Sequence, residues 1–425
     1  MHTNCWGNTM LWMTYSKKIL PILLLSLLTS GVTYAKRSNY YEFDEIKDSP
    51  FTVMVDLETG YNNNLTRERN SNDAISSSFV NVIPGFAYTY KPSASRYSVL
   101  YRIDSGHYFD SKDDNYTDHY FESNNLISFN IRNNVSLIYT YNKSHEERGT
   151  GLTEGALENI TTNQPVKFTD HNVNAEYIYG ANTAKGQLRF GLGYQDKSYT
   201  NYQQYEIDGN QFGSQFSNFS AVKYSTAFWY LLGRSTQLSL SAQRNDKQYQ
   251  YTNQESRDNT DDFYSLGARW DLSDKSKGEA FIGLQNKSFK SNQKTDFSGL
   301  SYRVKGQWLP QRHTAFTLNA SLIAEDPDQF GDYVNETIIK LDWTQDWFER
   351  FSTTASIGWE NDDFTADSPI GSREDDTYLY TLDFNYQFSR IINFGFYLSS
   401  EDKDSNWLTY RYKQQLVGLY TKIEL

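Results

Sequence analysis

The chain has 425 residues, of which only 38% are apolar. Past its N-terminus it offers no run of the roughly 18 apolar residues that a spanning helix needs, which excludes a helical membrane protein. Its 34 Tyr, 26 Phe and 9 Trp exclude a disordered chain, and its formal charge of −12 argues against a nucleic-acid partner.

The N-terminus reads as an export signal. Lys17 and Lys18 precede ILPILLLSLLTSGV, and Thr33-Tyr34-Ala35 supplies small residues for a peptidase, so residues 1–35 are expected to be removed. Met10 and Met13 are candidate starts within that extension. A retained anchor is the alternative, disfavoured by the short apolar run. Cys5, the one cysteine, falls before the cleavage point, so the mature chain has no disulfide, Cys-based zinc site or cysteine nucleophile. Residues 1–35 carry two Lys and no acid, so the mature balance is 38 − 52 = −14. Residues 36–50 read as a short periplasmic segment and 51–425 as the folded domain.

From Phe51 onward, period-two segments recur between turn signals, about eighteen in all. FTVMVDLETGY places Phe51, Val53, Val55 and Leu57 on one face. NVIPGFAYTY aligns Val82, Pro84, Phe86, Tyr88 and Tyr90. QLRFGLGYQ sets Leu188, Phe190, Leu192 and Tyr194 against Arg189 and Gln195, and FYSLGARWDL sets Leu266, Ala268 and Trp270 against Arg269 and Asp271. LSYRVKGQWL sets Tyr302, Val304 and Trp308 against Arg303 and Lys305. In LYTLDFNYQF, Tyr380, Leu382, Phe384 and Tyr386 oppose Thr381, Asp383 and Asn385. Such alternation builds either a soluble sandwich with aromatics inside or a membrane barrel with aromatics outside.

The connectors decide between them. Lys91–Ser95, Asn130–Asn133, Ala181–Lys185, Leu232–Ser235, Ser273–Lys277, Pro310–His313, Asp346–Arg350 and Ser389–Ile391 are short. They alternate with mostly longer polar segments: Asn62–Ser78, Asp110–Asn115, Ser144–Lys167, Thr200–Ser217, Tyr251–Thr260, Ser291–Thr295, Asp326–Asp332, Asn361–Glu374 and Lys403–Asn406. One parity of long loops is what a barrel with periplasmic turns and extracellular loops shows, and a sandwich has no reason for it. Many segments exceed ten residues, beyond the usual soluble strand of about five or six. Trp308, Trp343, Trp359 and Tyr194 sit near segment ends, as an interfacial girdle requires. The expectation is an all-β, transmembrane, antiparallel up-and-down barrel of about eighteen strands in the outer membrane. Its aromatic faces meet outer-membrane lipid, and the barrel assembly machinery would insert it.

In that register the lumen receives Asp56, Arg102, Asp104, Arg189, Arg269, Asp271, Glu279, Arg303, Lys305, Glu336, Lys340, Asp342, Glu360 and Asp383. Two readings remain open: a solvated wall whose charges pair across strands, or a hydrated conduit that holds a polar polymer by many weak contacts. Trp229 and Phe281, also on the polar face, suit either sugar stacking or constriction packing.

Catalytic signals are thin. His107, His119, His145, His171 and His313 show no metal-pair spacing or nucleophile motif and read as surface histidines. EDKDSN places Asp402, Asp404 and Asn406 like a calcium loop, but Lys413 stands where the twelfth-position Glu belongs. DPDQFGDY, from Asp326, reads as a solvated loop, with loose cation binding as the alternative. N-x-S/T triplets such as Asn159-Ile160-Thr161 are expected by chance in so Asn-rich a chain. No catalytic residue, metal site or cofactor is expected.

Several segments carry a resemblance. GLGYQDKSYTNYQ (from Gly191), ARWDLSDKSKGEAFIGLQNKSFK (from Ala268), FSGLSYRVKGQWLPQRHTAFTL (from Phe297), REDDTYLYTLDFNYQFSR (from Arg373) and the stretch from Ser399 to the C-terminus resemble a family of outer-membrane β-barrel porins. That family accompanies exopolysaccharide biosynthesis in Gram-negative bacteria. The resemblance implies a channel through which newly made exopolysaccharide leaves the cell. A periplasmic polysaccharide-export protein and an inner-membrane copolymerase are its implied partners. The last strand departs from the pattern by ending on Leu425 rather than an aromatic residue. Arg411 and Lys413 there share parity with Val417, Leu419, Thr421 and Ile423, and a bulge near Gln414–Gln415 would reconcile them. Rival readings are a general diffusion porin for small polar solutes and a structural or adhesive surface barrel. An exporter would stay plugged, with Ser144–Lys167 as the candidate plug.

Overall fold

The structure is a computed structural model that describes residues 50–425 apart from 156–162, 182, 208–209, 253–255, 273–274, 329–330 and 366–371. The expected export signal, the segment 36–49 and the Asn159 triplet lie outside the described residues. In chain order the strands are β1 (Phe51–Asn62), β2 (Ser77–Tyr90), β3 (Arg96–Tyr108), β4 (Tyr116–Asn130), β5 (Asn133–Glu146), β6 (Val166–Tyr179) and β7 (Gly186–Tyr199). A small hairpin of β8 (Tyr205–Ile207) and β9 (Asn210–Phe212) follows. Then come β10 (Phe219–Leu232), β11 (Thr236–Tyr249), β12 (Asn259–Leu272), β13 (Ser276–Phe289), β14 (Phe297–Gln311) and β15 (Thr314–Glu325). The last five are β16 (Tyr333–Phe348), β17 (Phe351–Thr365), β18 (Arg373–Gln387), β19 (Ile392–Ser405) and β20 (Tyr412–Glu424).

All but the small hairpin join one 18-stranded antiparallel sheet, in which β7 pairs directly with β10 and β20 closes on β1. Closure leaves no unpaired edge, which a sheet surrounded by hydrocarbon requires. The two faces are inverted relative to a soluble protein. Leu240, Leu266 and Leu419 are 62%, 63% and 57% exposed on the outside, while Gln285 and Lys287 are 0% exposed within. Apolar side chains gain nothing from facing outward unless the surroundings are lipid.

Outward-facing charges bound the apolar band. Lys143, Asp262, Asp402 and Lys413 are the first charges met on their strands about ten residues above the short-turn rim. At roughly 3.3 Å per residue and a tilt near 40°, ten residues rise about 25 Å, the height of an outer-membrane belt. Above it the strands continue toward the long loops. Tyr194 and Trp359 are therefore mid-strand, eight residues above the starts of β7 and β17, because the strands outrun the membrane. For the same reason β17 runs on to Thr365, through residues expected in a loop.

Two more expectations fall at the C-terminus. β20 pairs with β19 in unbroken register through Gln414 and Gln415, so no bulge exists there. Lys413 needs none: it lies above the belt, 79% exposed, and meets Asp402 at 2.7 Å. EDKDSN is mostly the end of β19 rather than a loop. Register shifts do occur at Ser128/Asn130, Trp308/Gln311 and Asp346/Phe348, all beside short turns.

Candidate functional site

Inward side chains enclose a cavity of about 1480 Å³, lined by hydroxyls such as Ser241, Ser265, Ser321 and Thr381, by amides such as Asn142 and Asn319, and by charges of both signs. Arg102, buried in the wall, donates to Asp56 at 3.1 Å, and Asp104 accepts from the Tyr116 hydroxyl at 3.1 Å. Lys340 pairs with Asp342 at 3.3 Å, and Asp383 accepts from the Tyr420 hydroxyl at 3.0 Å. Arg303 and Lys305 line the cavity beside Phe281 and Glu279 in register, and Arg303 makes no ion pair among the described residues. Glu336 and Glu360 form an acidic cluster with Asp362 on β16 and β17.

Three of the sequence-predicted charges converge near the short-turn side. Arg189 and Arg269 lie 5.3 and 4.8 Å from the Trp229 ring, and Arg269 pairs with Glu279 at 2.9 Å. Arg189 also donates from Nε to Gln187 at 3.1 Å and lies 3.7 Å from Glu176. Trp229, 1% exposed, meets Phe281 edge-on at 6.1 Å. Cations against the ring and a second ring at its edge make Trp229 constriction packing rather than a stacking platform. Asp271 joins none of this; it is exposed at the short-turn rim, where its N–H bonds Ser235.

The mouth holds contacts that the sequence reading does not assign, some of them within the candidate plug Ser144–Lys167. After β5 the chain turns into the barrel. Gly149, at φ +79°, lies where a Cβ would come within 2.2 Å of the Thr66 carbonyl, and Gly155, at φ +74°, lies against the Tyr410 ring. Only glycine meets both demands, a left-handed backbone and close approach. Between them, Glu147 accepts from Arg67 at 2.9 Å, and Arg148 donates from Nε to Asp114 at 2.7 Å. Glu154 then reaches Arg373 of β18 at 2.8 Å and Lys403 of β19, and both cations also hold Asp375. Burial opposes the Glu154 charge, yet Lys403 and then Arg373 hold its carboxyl at about 2. The segment 147–155 is thus a strap crossing from β5 to the wall built by β18 and β19.

A second segment leans in from β15. Its pairing with β14 ends at Leu322, while its pairing with β16 continues to Glu325. The freed backbone of Ala324 is captured by inward Gln285 of β13, which donates to its carbonyl at 2.7 Å and accepts its N–H at 2.8 Å. Asp326 then sits among Lys247 at 2.6 Å, Lys287 at 2.7 Å, Asn259 at 3.0 Å and the Tyr249 hydroxyl at 2.8 Å. Burial opposes its charge, but Lys247 and then Lys287 hold its carboxyl well below the usual carboxylate range. The chain's own lysines occupy the place of any cation, so Asp326 is neither a solvated loop residue nor a loose cation ligand. Asp328 faces Glu146 of β5 and Glu154 of the strap, with Lys197 and Arg257 nearby. Enclosure in the mouth and then the Glu146 charge raise its carboxyl to about 6, although water reaches it.

His145 is another departure. Its side chain is 3% exposed, with Nδ1 2.9 Å from Asp118 and its ring 4.2 Å from that of Tyr116, so it is no surface histidine. The inward lysines 247, 287 and 403 carry the right parity, but Lys403 reads as a loop start and the other two are not picked out among the lumen charges. Glu154 lies in the connector read as a candidate plug and Asp326 in one read as a solvated loop, and off any periodic segment neither carries a signal of the cations it meets.

Comparison with known proteins finds distant structural likenesses and one family. Among solved structures, the siderophore receptor PirA from Acinetobacter baumannii is 7% identical and matches 89% of this chain and 81% of its own, with a TM-score of 0.48. OpdO from Pseudomonas aeruginosa is 13% identical over 88% of this chain and 97% of its own, with a TM-score of 0.47. OccAB3 from A. baumannii is 10% identical over 88% and 99%, also at 0.47. No curated protein matches the chain. A family model described as "Putative beta-barrel porin 2" matches residues 50–425, the full span of the described chain. The chain belongs to that family of β-barrel porins and is an integral protein of the outer membrane.

Proposed function

We infer that this porin is a diffusion channel for small polar solutes. One observation carries the reading: a lumen walled by hydroxyls, amides and paired charges, beneath a mouth narrowed by two inward segments tied by ion pairs. A wall of many weak donors and acceptors replaces part of a solute's hydration without trapping it. Segments anchored by buried charge pairs set an upper size on what enters, because each anchor is costly to break. Swelling of proteoliposomes in sugars and amino acids of rising mass tests this. Swelling should be fast for monosaccharides and fall off steeply by the trisaccharide. Equal exclusion of all of them would overturn the reading.

A second reading is favoured by the same hydroxyl and amide wall together with the lumen-facing rings of Phe281 and Tyr397. It makes the barrel a conduit for newly synthesised exopolysaccharide, acting with a periplasmic export protein and an inner-membrane copolymerase. A polymer would have to displace the strap at residues 147–155. Deleting the gene and locating polysaccharide at the surface, in the periplasm and in the medium separates the two. Periplasmic accumulation restored by the gene in trans supports export, and unchanged surface polysaccharide removes it.

A further inference from the structure

The outer wall is not uniform where the apolar band meets the extracellular side. Cations on the outward face near the long loops are mostly neutralised by a neighbour: Arg244 by Asp262 at 2.7 Å, Lys413 by Asp402 at 2.7 Å, and Lys290 by Asp258 at 3.2 Å. Lys143 of β5 and Lys167 of β6 differ. Both are exposed and outward-facing, and neither makes an ion pair among the described residues.

They do not stand alone. Lys143 is directly opposite His119 of β4, and His171 of β6 lies two residues below Thr169, the partner of Lys143 on its other side. The Nδ1 of His119 is 2.8 Å from the Tyr101 hydroxyl and the Nδ1 of His171 is 3.0 Å from that of Tyr139. Each imidazole therefore spends Nδ1 on a tyrosine, and with the hydroxyl donating, Nε2–H is left as a donor. Directly opposed residues are about 5 Å apart and adjacent strands about 4.8 Å apart, so these groups form one patch roughly 10 Å wide. The outward positions of β3 to β6 carry no acid; the nearest outward carboxylate, Asp196 of β7, is opposite His171 and accepts from Ser198 at 3.3 Å.

Height settles what such a patch meets. Lys143 is ten residues above Asn133 at the short-turn rim, a rise of about 25 Å, which places it at the outer-leaflet headgroups. Unpaired ammonium and imidazole donors at a headgroup boundary complement phosphate oxygens. We propose that the face built by Lys143, Lys167, His119 and His171 binds the phosphorylated headgroup of an outer-leaflet glycolipid. The lipid would pack its chains on Val173, Tyr139 and Phe121 below and seat its phosphate between the two lysines.

The test uses the full chain purified in detergent and bisphosphorylated lipid A as probe, with bound lipid read by native mass spectrometry. Heat-modifiable migration confirms that each variant is folded. The wild type should retain one lipid A where lipid A stripped of both phosphates is not retained. Lys143→Gln with Lys167→Gln should lower retention roughly thirtyfold, the usual gain for two cations near an anionic surface. Lys413→Gln, whose partner is Asp402, should leave it unchanged. Free inorganic phosphate at the same concentration should not compete. Retention in the double variant equal to the wild type, or retention indifferent to the phosphates, would overturn the proposal.

Discussion

Replacing Glu154 with Gln removes the one carboxylate of the strap that engages both Arg373 and Lys403. Its carboxyl is held at about 2 against an ordinary 4.5, a difference worth about 3 kcal/mol to the folded-in strap. At about 1.4 kcal/mol per factor of ten, that is roughly a hundredfold in the balance between strap in and strap out. Asp375 stays to serve both cations, so the loss falls on the strap rather than on the barrel. Single-channel recording in planar bilayers at pH 7 should show E154Q spending far more time at high conductance, and Glu154→Lys more still. Because the value is depressed, the stabilisation is complete above about pH 5 and drains away as pH falls from 4.5 through about 2. Asp328 works the other way: its carboxyl is raised, so its protonation near pH 6 relieves the repulsion from Glu146 and Glu154 and favours closure. Conductance of the wild type should therefore fall between pH 7 and 5 and rise again below about 4. Traces of E154Q that match the wild type at every pH would refute the strap.

The remaining predictions address the wall. Reversing Arg303 and Lys305 to Glu should shift the reversal potential in a KCl gradient toward cation selectivity, while Tyr302→Ala should not, because Tyr302 is uncharged and shares the parity of outward Ile282, its partner on β13; equal shifts would mean the face assignment is wrong. Asp326→Asn leaves Lys247 and fully buried Lys287 short of a counter-charge, which costs about 3–5 kcal/mol and should show as a lower unfolding temperature. Lys287→Met with Asp326→Asn should recover part of that loss, and a purely additive pair would show that the two do not interact. Trp229→Ala empties a fully buried ring site, so about 3–5 kcal/mol of stability should go and conductance should rise. If neither changes, Trp229 is not a packed constriction.

The barrel was legible because its cause is periodic. A strand with lipid on one side and a wet lumen on the other must alternate, so Tyr380, Leu382 and Phe384 opposing Thr381 and Asp383 assign their faces without any contact being known. Connection lengths were legible for a related reason, since one parity of turn faces a crowded rim and the other open water. The mouth has no such period. Whether Glu154 meets Arg373 depends on a chain path of 219 residues and two left-handed glycines, neither of which alternation encodes. Lys413 shows the opposite error: parity was read past the height at which lipid stops, and a charge in water was mistaken for a break in the strand.

The fastening of the mouth follows from where it is built. A segment crossing a wet lumen can be held by apolar packing only if enough side chains fill the space, and filling it would abolish the channel. Ion pairs to the wall hold the same segment from its ends and leave the space between for water. The cost is desolvation, met here by giving each anchoring carboxylate several donors: Arg373 and Lys403 for Glu154, and Lys247, Lys287, Asn259 and Tyr249 for Asp326. Pairs this enclosed are screened far less than the exposed Arg244–Asp262 contact, so salt that loosens the outer surface leaves the mouth in place. A charge-fastened strap thus combines a fixed width with an open water path, which is what size-limited diffusion of polar solutes demands.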